Sequence, residues 1–224
     1  MADYSQTIQI DPDYVEAYRD RGHILATQED YEGAISDYTN SIRLDPSDPD
    51  IYFRRGKLYI TLEDYQRALT DYSQVIKLNP DCIDAYFIRG CLLAGLENYK
   101  KAIPNFSKVI KNKPNDADAY FQRGNAHAAL ENYQEAIEDF TEVIKINPDE
   151  TVLYFNRGDA RLAIQDYQGA VADYTQIINI EATCIEAYFK RGGIRNQQGD
   201  KRGAITDYSQ IIKINPDYAD AYVK

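Results

Sequence analysis

Small, apolar and aromatic residues return along this chain every 34 residues, each time in the same order. Counting from Val15, position 4 of every block is tyrosine (Tyr18, Tyr52, Tyr86, Tyr120, Tyr154, Tyr188) and position 8 is glycine. Position 20 is alanine (Ala34, Ala68, Ala102, Ala136, Ala170, Ala204), and position 24 is aromatic (Tyr38, Tyr72, Phe106, Phe140, Tyr174, Tyr208). The offsets 4, 8, 11 and 20, 24, 27, 28 each mark one face of an α-helix, so every block predicts two helices. Asp or Asn at position 16 is a predicted N-cap for the second helix. Proline at position 32, replaced only by Ala182, predicts that helix's end, and the Asp, Asn, Ser or Thr at position 33 a cap for the next. In an antiparallel hairpin turning near position 14, Gly at 8 and Ala at 20 lie level and allow close approach, with the aromatics at 4 and 24 filling the space beside them.

Six full blocks result: 15–48, 49–82, 83–116, 117–150, 151–184 and 185–218. Residues 1–14 supply only the second helix of a partial block, and residues 219–224 open a further one. An arginine precedes each position-8 glycine, and sixteen residues later stand Asp37, Asp71, Asn105, Asp139, Asp173 and Asp207. Positions 7 and 23 are equidistant from the turn, roughly 12 Å away at helical rise, hence side by side across the hairpin. Arg191 is therefore expected to pair with Asp207, and likewise in every block but the third, where Arg89 meets Asn105. The arginines could instead grip an acidic ligand, but their recurrence with aspartate favours a strut within each block. The third block also carries Pro104 inside its second helix, where the missing N–H predicts a bend and the weakest interior block.

The pattern resembles the tetratricopeptide repeat, whose signature is W-x2-L-G-x2-Y, then A-x3-F, then P. Here Tyr stands for Trp and Arg for Leu. The "AYFxRG…DYxxAI" flavour resembles bacterial arrays, cyanobacterial ones among them. The resemblance implies an all-α fold: a right-handed α-solenoid of antiparallel helix pairs in which each repeat touches only its neighbours and first helices line a concave groove. It also implies that positions 2, 5, 6, 9, 12 and 13 face that groove. Position 5 holds Arg19, Phe53, Phe87, Phe121, Phe155 and Phe189. An aromatic stripe there marks a binding surface, unless each ring packs sideways on an adjacent helix. Positions 6 and 9 vary between blocks, and Arg54, Gln122, Asn125, Asn156 and Lys190 among them are candidate specificity residues. Phenylalanine at position 5 displaces the Lys and Asn with which some family members clamp a chaperone peptide's carboxylate, so that recognition is not expected.

Composition narrows the function. The 224-residue chain carries net charge −11, which argues against nucleic acid and against an anionic membrane surface. No apolar run approaches the roughly 20 residues of a membrane span, and the N-terminus shows no signal peptide. Cys82, Cys91 and Cys184 form no CxxC pair and are expected to be reduced thiols in a cytoplasmic protein. His23 and His127 are the only histidines, about three blocks apart, and no phosphate-cradling glycine loop occurs. No cofactor is expected, and no enzyme. Block three is basic, with Lys100, Lys101, Lys108, Lys111 and Lys113 on its second helix, expected to face outward as a solvated surface or a second docking surface.

The expected function is a protein-interaction scaffold binding a peptide or partner helix in its groove. The alternative is a structural array stacking head to tail, for which Tyr4 and Ile8 at one end and Tyr208, Ile211, Ile212 and Tyr222 at the other should be partly uncovered.

Overall fold

The computed structural model describes residues 2–218. These residues form thirteen helices and no strand, in two compact units spanning Met1–Asn112 and Lys113–Lys224. The first unit holds α1 (Ala2–Ile10) and the pairs α2 (Val15–Thr27) with α3 (Tyr31–Leu44), α4 (Pro49–Thr61) with α5 (Tyr65–Leu78), and α6 (Ile83–Gly95) with α7 (Tyr99–Asn112). The second holds α8 (Ala117–Ala129) with α9 (Tyr133–Ile146), α10 (Thr151–Ala163) with α11 (Tyr167–Ile180), and α12 (Ile185–Gln197) with α13 (Lys201–Ile214). Within each unit a helix packs on its hairpin partner and on the next pair, which is the organisation of an all-α solenoid of antiparallel helix pairs.

One turn chemistry makes every hairpin. Position 15 adopts left-handed backbone at Glu29, Glu63, Glu97, Glu131 and Gln165 (φ 57–64°) and at Gly199 (φ 83°). That residue lets the next N–H fold back: Asp30 N donates to Leu25 O, and Glu29 N to Ala26 O, closing the first helix as a Schellman motif. The same Asp30 then caps the second helix, its carboxylate accepting from Gly33 N at 3.0 Å. Asp64, Asp166 and Asp200 repeat this double duty, whereas Asn132 makes no side-chain cap bond.

Three expectations about the blocks need correction. The N-cap of the first helix falls at position 34, one residue later than expected, and Asp48 and Asp116 use it to accept from Asp50 N and Ala119 N. Position 33 instead donates its own N–H to the side chain at position 31, as Ser47 does to Asp45 and Asp81 to Asn79, because two residues are needed to reverse the chain. Proline is dispensable as a stop: α11 ends at Ile180 and Glu181 leaves the helical conformation, although Ala182 follows. Finally, position 8 does not face Ala at position 20. The atoms nearest a Cβ on Gly124 belong to Phe140 and Asp139, at positions 24 and 23. The buried Ala68 instead shares a cluster with Ala85 of the following block, as Ala170 does with Ala187.

Helix α7 runs unbroken through Pro104. Tyr208 and Ile211, expected to be partly uncovered, are only 6% and 0% exposed, because α12 and the residues after α13 pack over them within the last block. The apolar residue left open on α13 is Ile205, 64% exposed at position 21. Tyr4, Ile8 and Ile212 are half-buried, and Tyr222 lies outside the described residues.

Two tyrosines at position 24 differ in a way that fixes a sign. Tyr174 donates its hydroxyl to Asp159, whereas the buried hydroxyl of Tyr72 has no partner among the described residues. Burial raises the pKa of both phenols, so each stays protonated and needs an acceptor. Tyr72→Phe is therefore expected to stabilise the protein by about 1 kcal/mol, and Tyr174→Phe to destabilise it by about as much or more. Denaturant midpoints that move in the same direction for both variants would refute this assignment.

Candidate protein-interaction face

The arginine of each block is consumed by the scaffold. Arg21 donates from Nε and Nη2 to the two oxygens of Asp37, both at 2.7 Å. Arg55, Arg123, Arg157 and Arg191 form the same fork on Asp71, Asp139, Asp173 and Asp207, with closest contacts of 2.6–2.7 Å. These carboxylates are at most 4% exposed, and each guanidinium lies 5.6–6.0 Å from the position-4 tyrosine ring. The carboxylate hydrogen bond raises the pKa of Arg21 and Arg123 above the ordinary guanidinium value, although burial opposes it. In blocks five and six Arg161 and Arg195 add a second cation to the same aspartate, each at 2.8 Å.

The free Nη1 edge reaches backwards. Arg21 donates to Ser5, Arg55 to Thr39, Arg157 to Thr141 and Arg191 to Thr175, each a hydroxyl at position 25 of the preceding block, at 2.9–3.1 Å. Each of these four arginines thus ties its own hairpin together and staples it to the helix before. The hydroxyl had a plain signal: position 25 is Ser or Thr throughout, at Ser5, Thr39, Ser73, Ser107, Thr141, Thr175 and Ser209.

With the arginines committed, the first helices carry the variable face. Phe53, Phe87, Phe121, Phe155 and Phe189 are all half-buried. Each ring packs on the position-24 aromatic of its own block, with centroids 5.4–6.2 Å apart and steep interplanar angles. Each ring is thus braced by a second ring, Phe189 also by Tyr218 at 6.1 Å, and Lys57 stands 5.3 Å from the centre of the Phe53 ring. Gln122, Asn125 and Asn156 are half-buried and make no side-chain hydrogen bond to other described residues.

Other candidates are partly spoken for. Lys190 holds both oxygens of Asp159 from the previous block, at 2.7 and 2.8 Å. That contact shows position 6 of one block meeting position 9 of the block before it. Arg54 pairs with Asp50 at 2.6 Å and Arg19 with Asp20 at 3.1 Å. His23 stacks edge-on to Tyr38 at 5.6 Å, and burial, then Arg54, lower its pKa, so the ring is neutral at pH 7.

Sequence reasoning missed one feature of this face. Ile60, Tyr65, Ile88, Cys91, Leu92 and Leu96 line an apolar groove of about 380 Å³ between the second and third blocks. Its signal was the apolar pair Ile88 and Cys91 at positions 6 and 9, which are otherwise mostly polar. Among the described residues no helix is long and apolar enough to cross a membrane.

Known proteins show the same organisation. Tetratricopeptide-repeat models match residues 56–121, 117–150 and 186–218, and a TPR-repeat model matches residues 22–63. The chain belongs to the tetratricopeptide-repeat family, whose members are typically non-enzymatic scaffolds that bind protein or peptide partners. Its fold is similar to that of MamA (residues 41 to the end) from Desulfovibrio magneticus RS-1, with 26% identity, TM-score 0.65, and 76% of this chain and 96% of that chain covered. It is also similar to the C-terminal part of a TPR repeat-containing protein from Cytophaga hutchinsonii, with 18% identity, TM-score 0.76, and 99% and 94% covered. YrrB, described as a TPR protein with an unusual peptide-binding site, matches at 18% identity and TM-score 0.50, with 98% and 96% covered. Comparison with curated proteins gave no match.

Proposed function

We propose that this protein is a cytoplasmic protein-interaction scaffold that binds an extended or helical peptide on its first-helix face. One observation carries this reading: the phenylalanines at position 5 are braced by a second ring yet stay only half-buried. A rigid, pre-positioned aromatic loses little entropy when a partner covers it, which is how interface anchors gain affinity. Gln122, Asn125 and Asn156 beside Phe121 and Phe155 offer amides to a peptide backbone, and Lys190 offers a cation only after releasing Asp159. Affinity capture from source lysate with wild type and with Phe121→Ala/Phe155→Ala tests this. The double variant is expected to keep its helical circular dichroism and to lose about 30-fold in partner affinity, the effect of a central hot spot. Undiminished capture by the folded variant would refute the face assignment.

Head-to-tail self-association is a second reading, favoured by the open Ile205 on α13. Light scattering over a wide concentration range tests it: growth in mass that Ile205→Asp abolishes supports it, and a constant monomer mass rules it out.

A further inference from the structure

The third block breaks the fork, and the break leaves a guanidinium with no carboxylate partner among the described residues. Arg89 Nε donates to Asn105 Oδ1 at 2.9 Å, and Nη1 reaches Ser73 Oγ only at 3.4 Å. Nη2, which in every other block meets a carboxylate oxygen, has no hydrogen-bond partner among the described residues. Asn105 cannot turn to help, because its amide nitrogen is fixed by a 2.7 Å bond to the Lys101 carbonyl. Burial lowers the pKa of Arg89, in contrast to Arg21 and Arg123, whose aspartates raise theirs.

A cavity of about 480 Å³ opens beside this arginine, within the first unit. Leu69, Leu93 and Pro104 form its apolar wall, and Lys100 and Lys101 stand at its edge with Arg89. Neither lysine has an ion-pair partner among the described residues. Three uncompensated cations thus surround one cavity in a chain whose net charge is −11. A half-buried cation without a counter-charge is unfavourable, and five sibling blocks relieve it with an internal carboxylate. An oxyanion entering from outside would restore the same pairing, and its volume is in the range that holds small ligands.

We propose that the cavity between α5, α6 and α7 binds an oxyanion, a carboxylate or phosphate group carried on an apolar body, with Arg89 as its principal partner and Lys100 and Lys101 as supporting cations. The site is separate from the first-helix face and does not depend on that face binding a peptide.

Calorimetric titration of the full chain at low ionic strength, with hexanoate and with inorganic phosphate as probes, tests this. Wild type is expected to bind one or both probes at a single site. Asn105→Asp places in the third block the carboxylate that its siblings carry. It should weaken binding by about tenfold or more while raising the unfolding midpoint, so the loss cannot be misread as unfolding. Lys100→Ala/Lys101→Ala should weaken binding by a smaller factor with the midpoint nearly unchanged. Binding of hexanoate alone would identify a carboxylate ligand with an apolar stem, and binding of phosphate alone a phosphate group. Equal affinity in wild type and Asn105→Asp, or no binding of either probe, would overturn the proposal.

Discussion

Asp173→Ala is expected to destabilise the second unit by about 3–5 kcal/mol, the largest effect of any single substitution considered for this chain. Asp173 is 1% exposed and, among the described residues, is the only carboxylate on Arg157, while also accepting from Arg161 at 2.8 Å. Its removal strands Arg157, whose side chain is 13% exposed, without its counter-charge. By contrast, Lys145 and Glu142 form a 2.6 Å pair of nearly identical length on the open surface, so Glu142→Ala should leave stability almost unchanged. The pair Arg123→Leu/Asp139→Tyr, which strands no charge, should likewise cost less than Arg123→Ala. Denaturant melts with unchanged slope give these numbers directly. Comparable midpoint shifts for Asp173→Ala and Glu142→Ala would mean that the forks are decoration and not struts.

The second large effect concerns glycine. Gly124→Ala is expected to destabilise by about 1–3 kcal/mol, although alanine is the better helix former by about 1 kcal/mol. The added Cβ would sit 2.9 Å from the Phe140 ring and 3.2 Å from the Asp139 Cβ. Gly90→Ala is tighter still, at 2.7 Å from Phe106. Gly95, in the last turn of α6, has no atom within 4 Å of its built Cβ, and Gly95→Ala should stabilise by about 0.5–1 kcal/mol. Opposite signs at two helical glycines in neighbouring blocks would isolate packing from propensity. A gain at Gly124 would remove the close-approach account of position 8.

Much of the architecture was legible in the chain because it is local and repeated. Helix faces follow from residue spacing, and the turn at position 15 sets positions 7 and 23 level by helical rise alone, so Arg191 and Asp207 could be paired by counting. The left-handed Glu29 and its counterparts were hidden, because glutamate at a Schellman turn carries no glycine signal. Position 8 was misplaced for a related reason. A hairpin centre taken near position 14 makes position 20 the facing partner, whereas the observed neighbours at positions 23 and 24 put the centre almost two residues later and so move the partner by three to four, from alanine to aromatic.

Contacts between blocks could not be counted in this way. Which hydroxyl Arg55 reaches, that Lys190 is held by Asp159, and that Ile60 and Leu92 share a groove all depend on how one hairpin leans on the next. That lean comes from the fit of many side chains at once and leaves no offset in the chain to read. Burial at Tyr208 and Ile211 was likewise hidden, since Tyr188, Phe189 and Tyr218 of the same block cluster with them, a contact that the spacing does not display. The asparagine at 105 was visible as an exception, but that its arginine borders an open cavity followed only once α5, α6 and α7 were packed together. Local geometry fixes the helix pair, and the packing of pair on pair fixes which side chains remain free to bind.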